Sequence, residues 1–177
     1  KAYAANRAPR DKIRERVRGT RDRAAYASPR ETVNYFESHD EETVAHHVEQ
    51  AGYTNHADQV RRARIAGVLL MTSQGIPMLC EGQEGLRNRP AQLQDFENNM
   101  VDWTLFERNA SLVDTYRDLI ALRARYRCLR PTRFHPNGFV QFLTPPETSA
   151  LGYIVNYNRS YVDEPRIAIC VNPADSA

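Results

Sequence analysis

The spacing of apolar positions changes several times along the chain, and each change marks an element. Residues 9–18 read as a short, very basic helix, with Pro9 suited to a first helical position and Gly19 to a stop. Residues 20–31 are turn-like. Residues 32–37 (Thr-Val-Asn-Tyr-Phe-Glu) are rich in β-formers and too few for a stable helix, so they predict a strand. A short helix is expected at about 41–50. In residues 57–73, Ala57, Val60, Ala63, Ala66 or Gly67, and Leu70 recur at the three- and four-residue spacing of one helix face. Arg61, Arg62 and Arg64 are assigned to its wet side. Gly75 follows, in the place a left-handed C-terminal residue prefers. Residues 76–80 (Ile-Pro-Met-Leu-Cys) are apolar throughout and predict a buried strand. Residues 85–102 form a long loop. A second helix spans 111–127, with Ser111 as cap and Leu112, Val113, Tyr116, Leu119, Ile120 and Tyr126 on one face.

After Pro131 the pattern turns to short strands at 139–142, 151–156 and 166–171, separated by Pro, Asn, Ser and Asp. The order is therefore a βαβα segment followed by an antiparallel β module, with a boundary near residues 128–133. A βαβα order predicts parallel strands joined by crossovers. Two parallel strands cannot bury themselves; they need neighbours on both edges and helices on both faces. The chain thus has the pattern of a slice of a larger α/β domain, since an eight-fold barrel takes about 250 residues and this sequence has 177 in all.

Charge and composition narrow the partners. The net charge is +2. Residues 1–30 alone hold 10 basic and 3 acidic side chains, so the remainder is acidic. A nucleic-acid footprint is confined to the Arg-rich start, where aromatic stacking residues are lacking apart from Tyr26, and nucleic acid is not an expected partner. The longest apolar run, Ile65 to Met71, is far below the roughly 20 residues of a membrane span. The cysteines Cys80, Cys128 and Cys170 are widely spaced and without a CxxC motif. They predict buried thiols in a reducing compartment rather than a zinc or dithiol site. His39, Asp40, His46, His47 and His56 do not make a metal motif, because adjacent helical positions face different ways. Trp103 and Tyr116 are expected in the core rather than as sugar-stacking platforms.

Chemistry-bearing residues follow both strands. Ser38-His39-Asp40-Glu41 and Glu81-Gly82-Gln83-Glu84 stand at the C-terminal ends, where α/β folds place their sites. Such clusters are either two walls of one site or polar because they are wet. A resemblance adds to this reading. Residues 33–40 (Val-Asn-Tyr-Phe-Glu-Ser-His-Asp) resemble the fourth conserved segment of the α-amylase superfamily, glycoside hydrolase family 13. Residues 75–84 are similar to its eighth barrel strand, residues 116–123 to its eighth barrel helix, and residues 99–103 (Asn-Met-Val-Asp-Trp) lie between them in register. Residues 14–19 resemble the segment before the seventh strand in pullulanase-type debranching enzymes. The likeness runs over about residues 10–130.

The resemblance implies the C-terminal portion of a (β/α)8 TIM barrel, its last two strand–helix units in residues 1–130. Residues 131–177 would then begin an antiparallel β-sandwich domain. It implies a retaining α-glucan hydrolase acting on α-1,6 branch points. Asp40 matches the family's third carboxylate, which binds sugar hydroxyls and helps distort the ring, and His39 matches a histidine bonded to the same sugar. Glu41, Gln83, Glu84 and Asn99 stand where substrate contacts are expected. No residue here falls in the family's nucleophile or acid–base motif. Hydrolysis needs both carboxylates across one bond, so the chain by itself is expected to be inactive and to need an N-terminal part of the same enzyme. No organic cofactor is implied. Calcium is common in the superfamily, but no ligand set can be read here. Glu41 replaces a usual Asn, Cys80-Glu81 a common His-Ala, and residues 87–94 lack the usual Gly-Asn and Ser-Tyr. Linkage preference, a branching transferase, a trehalose-releasing hydrolase and a non-catalytic carbohydrate-binding relative therefore stay open.

Overall fold

A computed structural model describes residues 13, 14, 17, 18, 26–90, 99–135, 138–143 and 149–174. Most of the basic 9–18 segment lies outside them. Ser28 caps a 3₁₀ turn, Pro29–Glu31, by accepting the Arg30 amide, and its hydroxyl donates to the Thr132 carbonyl at 2.8 Å. Strand β1, Val33–Asn34, pairs in parallel with β2, Ile76–Pro77, in the register Val33 to Ile76 and Asn34 to Pro77. Helices α1, Val44–Gln50, and α2, His56–Thr72, connect the two strands, so the expected βαβ order holds.

The paired strands are shorter than expected and far more open. Val33 is 53% exposed and Ile76 45% exposed, with Tyr35 and Met78 also exposed. The expectation of a buried strand at 76–80 is thereby corrected. An all-apolar strand is buried only when layers cover both its faces, and among the described residues these four side chains stay open. Beside the pair, Ile13, Val17, Asn34, Tyr35, Phe36 and, from α2, Leu69 are among the walls of an open cavity of about 410 Å³.

Local chemistry sets the helix ends. Thr43 caps α1 by accepting the His46 amide, and the buried Glu37 carboxylate accepts the Val44 amide at 2.7 Å. Asn55 caps α2 through the amides of Ala57 and Asp58. Helix α2 packs on α4, Ala110–Arg125, with Gly67 letting the Tyr116 ring lie directly on the helix. A Cβ on Gly67 would stand 3.0 Å from that ring. Tyr116 is buried, as the spacing predicts. A short helix α3, Thr104–Arg108, precedes α4.

Four side-chain assignments are corrected. Arg62, expected on the wet face of α2, is 0% exposed. It lies three and seven positions from Ile65 and Leu69, hence on the core stripe, and its guanidinium sits 3.3 Å over the Tyr53 ring. Trp103, expected in the core, is 68% exposed and stacks on Phe106, because it stands at the entry to α3 rather than on a packed helix face. Ile120 is exposed at the edge of the α4 stripe. Ser111 does not cap α4: Asn109 holds that position, and Ser111 Oγ accepts from Arg64. Of the three cysteines only Cys128 is buried; Cys170 is exposed and Cys80 intermediate.

Strands β3, Val140–Leu143, β4, Leu151–Val155, and β5, Ile167–Val171, form an antiparallel sheet in sequential order. One core runs across the expected boundary near 128–133: Val44, Val48, Ile65 and Leu69 share it with Leu129, Phe142, Leu151 and Tyr153. The junction is stitched by Glu164, whose two carboxylate oxygens accept the amides of Arg127 at 2.8 Å and Cys128 at 2.7 Å. Burial works against its charge, yet these amides, with the Arg127 guanidinium, hold its pKa below the ordinary 4.5. A lowered carboxylate pKa stabilises above the unfolded value, and that gain is lost as pH falls through the folded one. Glu164→Gln is therefore expected to cost about 1–2 kcal/mol at neutral pH. It should also flatten the fall in stability as pH drops below about 4.5. Chemical denaturation at several pH values checks both; an unchanged acid limb would count against the assignment.

Candidate functional site

Both polar clusters leave the same end of the β1–β2 pair, since the strands are parallel. Residues 38–41 curl into a turn closed by the Glu41 amide on the Ser38 carbonyl at 3.3 Å. His39 and Asp40 stand exposed on it. Asp40 Oδ1 accepts the Ser38 hydroxyl at 2.5 Å. That bond, with its own backbone amide and the nearby His39 and Arg89, lowers the Asp40 pKa below the ordinary carboxylate range. The site therefore presents a fixed negative charge to solvent. Glu41 turns toward the open cavity beside Asn34, Tyr35 and Phe36.

The second cluster is more constrained. Gln83–Gly85 is a 3₁₀ turn flanked by two left-handed residues, Gly82 at φ +89° and Leu86 at φ +62°. A non-glycine residue in that region costs energy and needs its surroundings to hold it; the Leu86 side chain is buried. Gln83 does not reach the rim as expected. It is buried, and its Nε2 donates to the Tyr116 hydroxyl at 2.9 Å. Burial with that partner is what turns the amide inward, and desolvation pushes the Tyr116 pKa well above the ordinary phenol range. Glu84 is half-buried on the same turn.

Asn99 is brought to the first cluster. Its side-chain oxygen accepts from Arg89 Nη1 at 3.3 Å, and its carbonyl accepts from Arg87 at 2.6 Å. Arg89 in turn donates to the Ser38, His39 and Glu41 carbonyls at 3.2, 2.8 and 3.0 Å. The structure thus gathers His39, Asp40, Glu41 and Asn99 around one buried guanidinium, leaves Glu84 on the neighbouring turn and withdraws Gln83. Sequence reasoning missed Arg89. Its only signal was an arginine between two polar loop residues and a proline, and nothing local foretells contacts some fifty positions away.

Among the described residues no group of three His, Cys, Asp or Glu side chains converges on a common point. His47 pairs with Glu42 at 3.0 Å. No helix of the described residues is long and apolar enough to cross a membrane.

No protein-family model matches the chain. It is 29% identical to pullulanase from Bacillus subtilis over 107 residues, 58% of this chain and 15% of that protein. It is 35% identical to a glycogen operon protein GlgX homolog from Mycobacterium bovis over 80 residues, 43% of this chain and 11% of that one. The match therefore spans a small fraction of either relative. A crystal structure of pullulanase from Paenibacillus barengoltzii, in complex with maltohexaose and α-cyclodextrin, superposes with a TM-score of 0.82 at 22% identity. That superposition covers 97% of this chain and 28% of the pullulanase. An isoamylase from a Flavobacterium is a further match at 35% identity over 83 residues, 45% of this chain and 11% of that enzyme. The chain is thus similar in sequence to pullulanase, GlgX and isoamylase over part of its length, and its fold matches a part of the pullulanase structure.

Proposed function

We propose that the chain forms one rim of the active site of an α-glucan debranching hydrolase that acts on α-1,6 branch points with net retention. The observation that carries this is Asp40, an exposed and ionised carboxylate held by Ser38 in the turn that leaves a parallel strand. In a retaining glycosidase, two carboxylates about 5–5.5 Å apart break and re-form the anomeric bond through an oxocarbenium-like transition state. A third carboxylate that grips ring hydroxyls and distorts the sugar adds stabilisation that grows as positive charge develops. Asp40 suits that role, and a neutral His39 ring offers one donor and one acceptor to the same sugar. Glu41, Glu84 and Asn99 are the further candidates for sugar contacts; Gln83 supports the site from beneath through Tyr116.

On this reading residues 1–130 complete a (β/α)8 barrel begun by a further part of the same enzyme. Residues 131–177 open its β-sandwich domain. The apolar faces left open at Val33, Tyr35, Ile76 and Met78 support that view, as does the match to about a quarter of the pullulanase fold. The nucleophile and the acid–base would come from the further part, so the 177-residue chain alone should release no sugar. The maltohexaose and α-cyclodextrin in the related pullulanase complex support an α-glucan as the ligand class.

The test is reducing-end release by the complete enzyme from pullulan, from a branched α-glucan and from linear amylose. Release from the first two with little from amylose is expected. Release from amylose alone would replace the α-1,6 reading by α-1,4 hydrolysis, and branch formation without net release would make the enzyme a transferase.

A further inference from the structure

We infer that Arg89 is a positioning residue, holding the Asp40 turn and Asn99 in one working arrangement from the buried side. This rests on Asp40 acting on the sugar, as proposed above. Arg89 is 3% exposed while His39 and Asp40, a turn away, face solvent. One of its terminal nitrogens meets the carbonyls of Ser38, His39 and Glu41, and the other meets Asn99 Oδ1. Holding the carbonyls on both sides of Asp40 bends the backbone around the guanidinium and leaves the Asp40 carboxylate on the outside of the bend.

The clamp is itself anchored. The Thr43 amide donates to the Arg89 carbonyl at 3.0 Å, and the Arg89 amide donates to Thr43 Oγ1 at 2.9 Å. Thr43 also caps α1, so the helix, the Asp40 turn and Asn99 share one junction. A planar fork is suited to several acceptors at fixed angles, whereas a lysine offers a single point. The positive charge also lies near enough to favour the ionised form of Asp40. Burying a guanidinium against carbonyl oxygens carries a desolvation cost that a purely space-filling residue would not, which is the pattern of a group retained for geometry.

The experiment uses the complete enzyme, with kcat and KM on a branched α-glucan and hydrogen exchange of residues 38–43 read by mass spectrometry. Arg89→Ala is expected to lower kcat about 30- to 100-fold, the scale of a misplacement of about 1 Å, with a smaller change in KM. Exchange should rise at 38–43 while α2 and α4 stay protected, and millimolar guanidinium should restore part of the turnover. Arg89→Lys should lose about tenfold. Turnover within twofold of wild type, or a loss accompanied by exchange across α2 and α4 and no guanidinium rescue, overturns the inference. Should Arg89→Ala not fold, Arg89→Lys decides by the same twofold limit. An active Asp40→Asn enzyme sinks the reading of the site, whereas an inactive Asp40→Asn beside a fully active Arg89→Ala sinks only the role of Arg89.

Discussion

Asp40→Asn in the complete enzyme is expected to cut turnover on branched α-glucan by about a thousandfold or more. The unfolding temperature should not move. The amide has the shape of the carboxylate and still accepts the Ser38 hydroxyl, so the turn at 38–41 keeps its bonds. The side chain is exposed, and no packing is lost with it. What disappears is the negative charge, and charge matters most where positive charge builds on the sugar ring. The loss should fall on kcat, because a contact strengthened only in the transition state leaves ground-state binding nearly alone. Because the Asp40 pKa lies below the ordinary carboxylate range, the residue stays ionised as pH falls toward 4. The acid limb of the wild-type rate profile should therefore belong to another group. Steady-state kinetics with calorimetry on the same samples decides the matter. Activity within tenfold of wild type would remove Asp40 from the mechanism.

The element order and the parallel pairing were legible because they rest on short-range rules. Apolar period, caps and the Gly75 stop place α2 within a residue of where it lies and give β2 its start at Ile76, although the paired strand ends at Pro77 rather than at Cys80. The three strands of the β module could be read from the turn residues that separate them. What escaped are features fixed by contacts distant in sequence. Arg62 looked like a solvated charge until the Tyr53 ring was seen beneath it. Trp103 looked like core because aromatic residues at helical spacing usually are, and only the course of the chain around α3 leaves it outside. Within the candidate site, His39 and Asp40 were recognisable from their place after a strand. The inward turn of Gln83 depended on Tyr116, which is 33 positions away. Arg89 was invisible because its worth lies in three carbonyls about fifty positions upstream.

Arg123→Met should be more destabilising than Glu164→Gln, at about 3–5 kcal/mol. Methionine keeps about the length of the apolar stem, so the loss isolates the guanidinium. That group is buried at the C-terminal end of α2, where helix geometry leaves the last carbonyls without partners. It donates to the carbonyls of Met71 at 2.7 Å, Ser73 at 2.8 Å and Gly75 at 2.6 Å. Those three residues carry the chain out of the helix, through the left-handed Gly75, and into β2. Without the arginine the buried carbonyls of Met71 and Ser73 are left unsatisfied, at about 1–3 kcal/mol each before relaxation, and the half-buried Gly75 carbonyl loses its partner as well. Desolvation, helped by the nearby Arg130, draws the Arg123 pKa down to about 10. The group is thus still charged at neutral pH and favoured by the negative end of the helix. Arg123→Lys should recover a third to a half of the loss, since one ammonium reaches fewer of the carbonyls. Urea denaturation of the complete enzyme and both variants measures this directly. A loss below about 1 kcal/mol for Arg123→Met would mean that water reaches these carbonyls and that the helix end does not depend on the arginine.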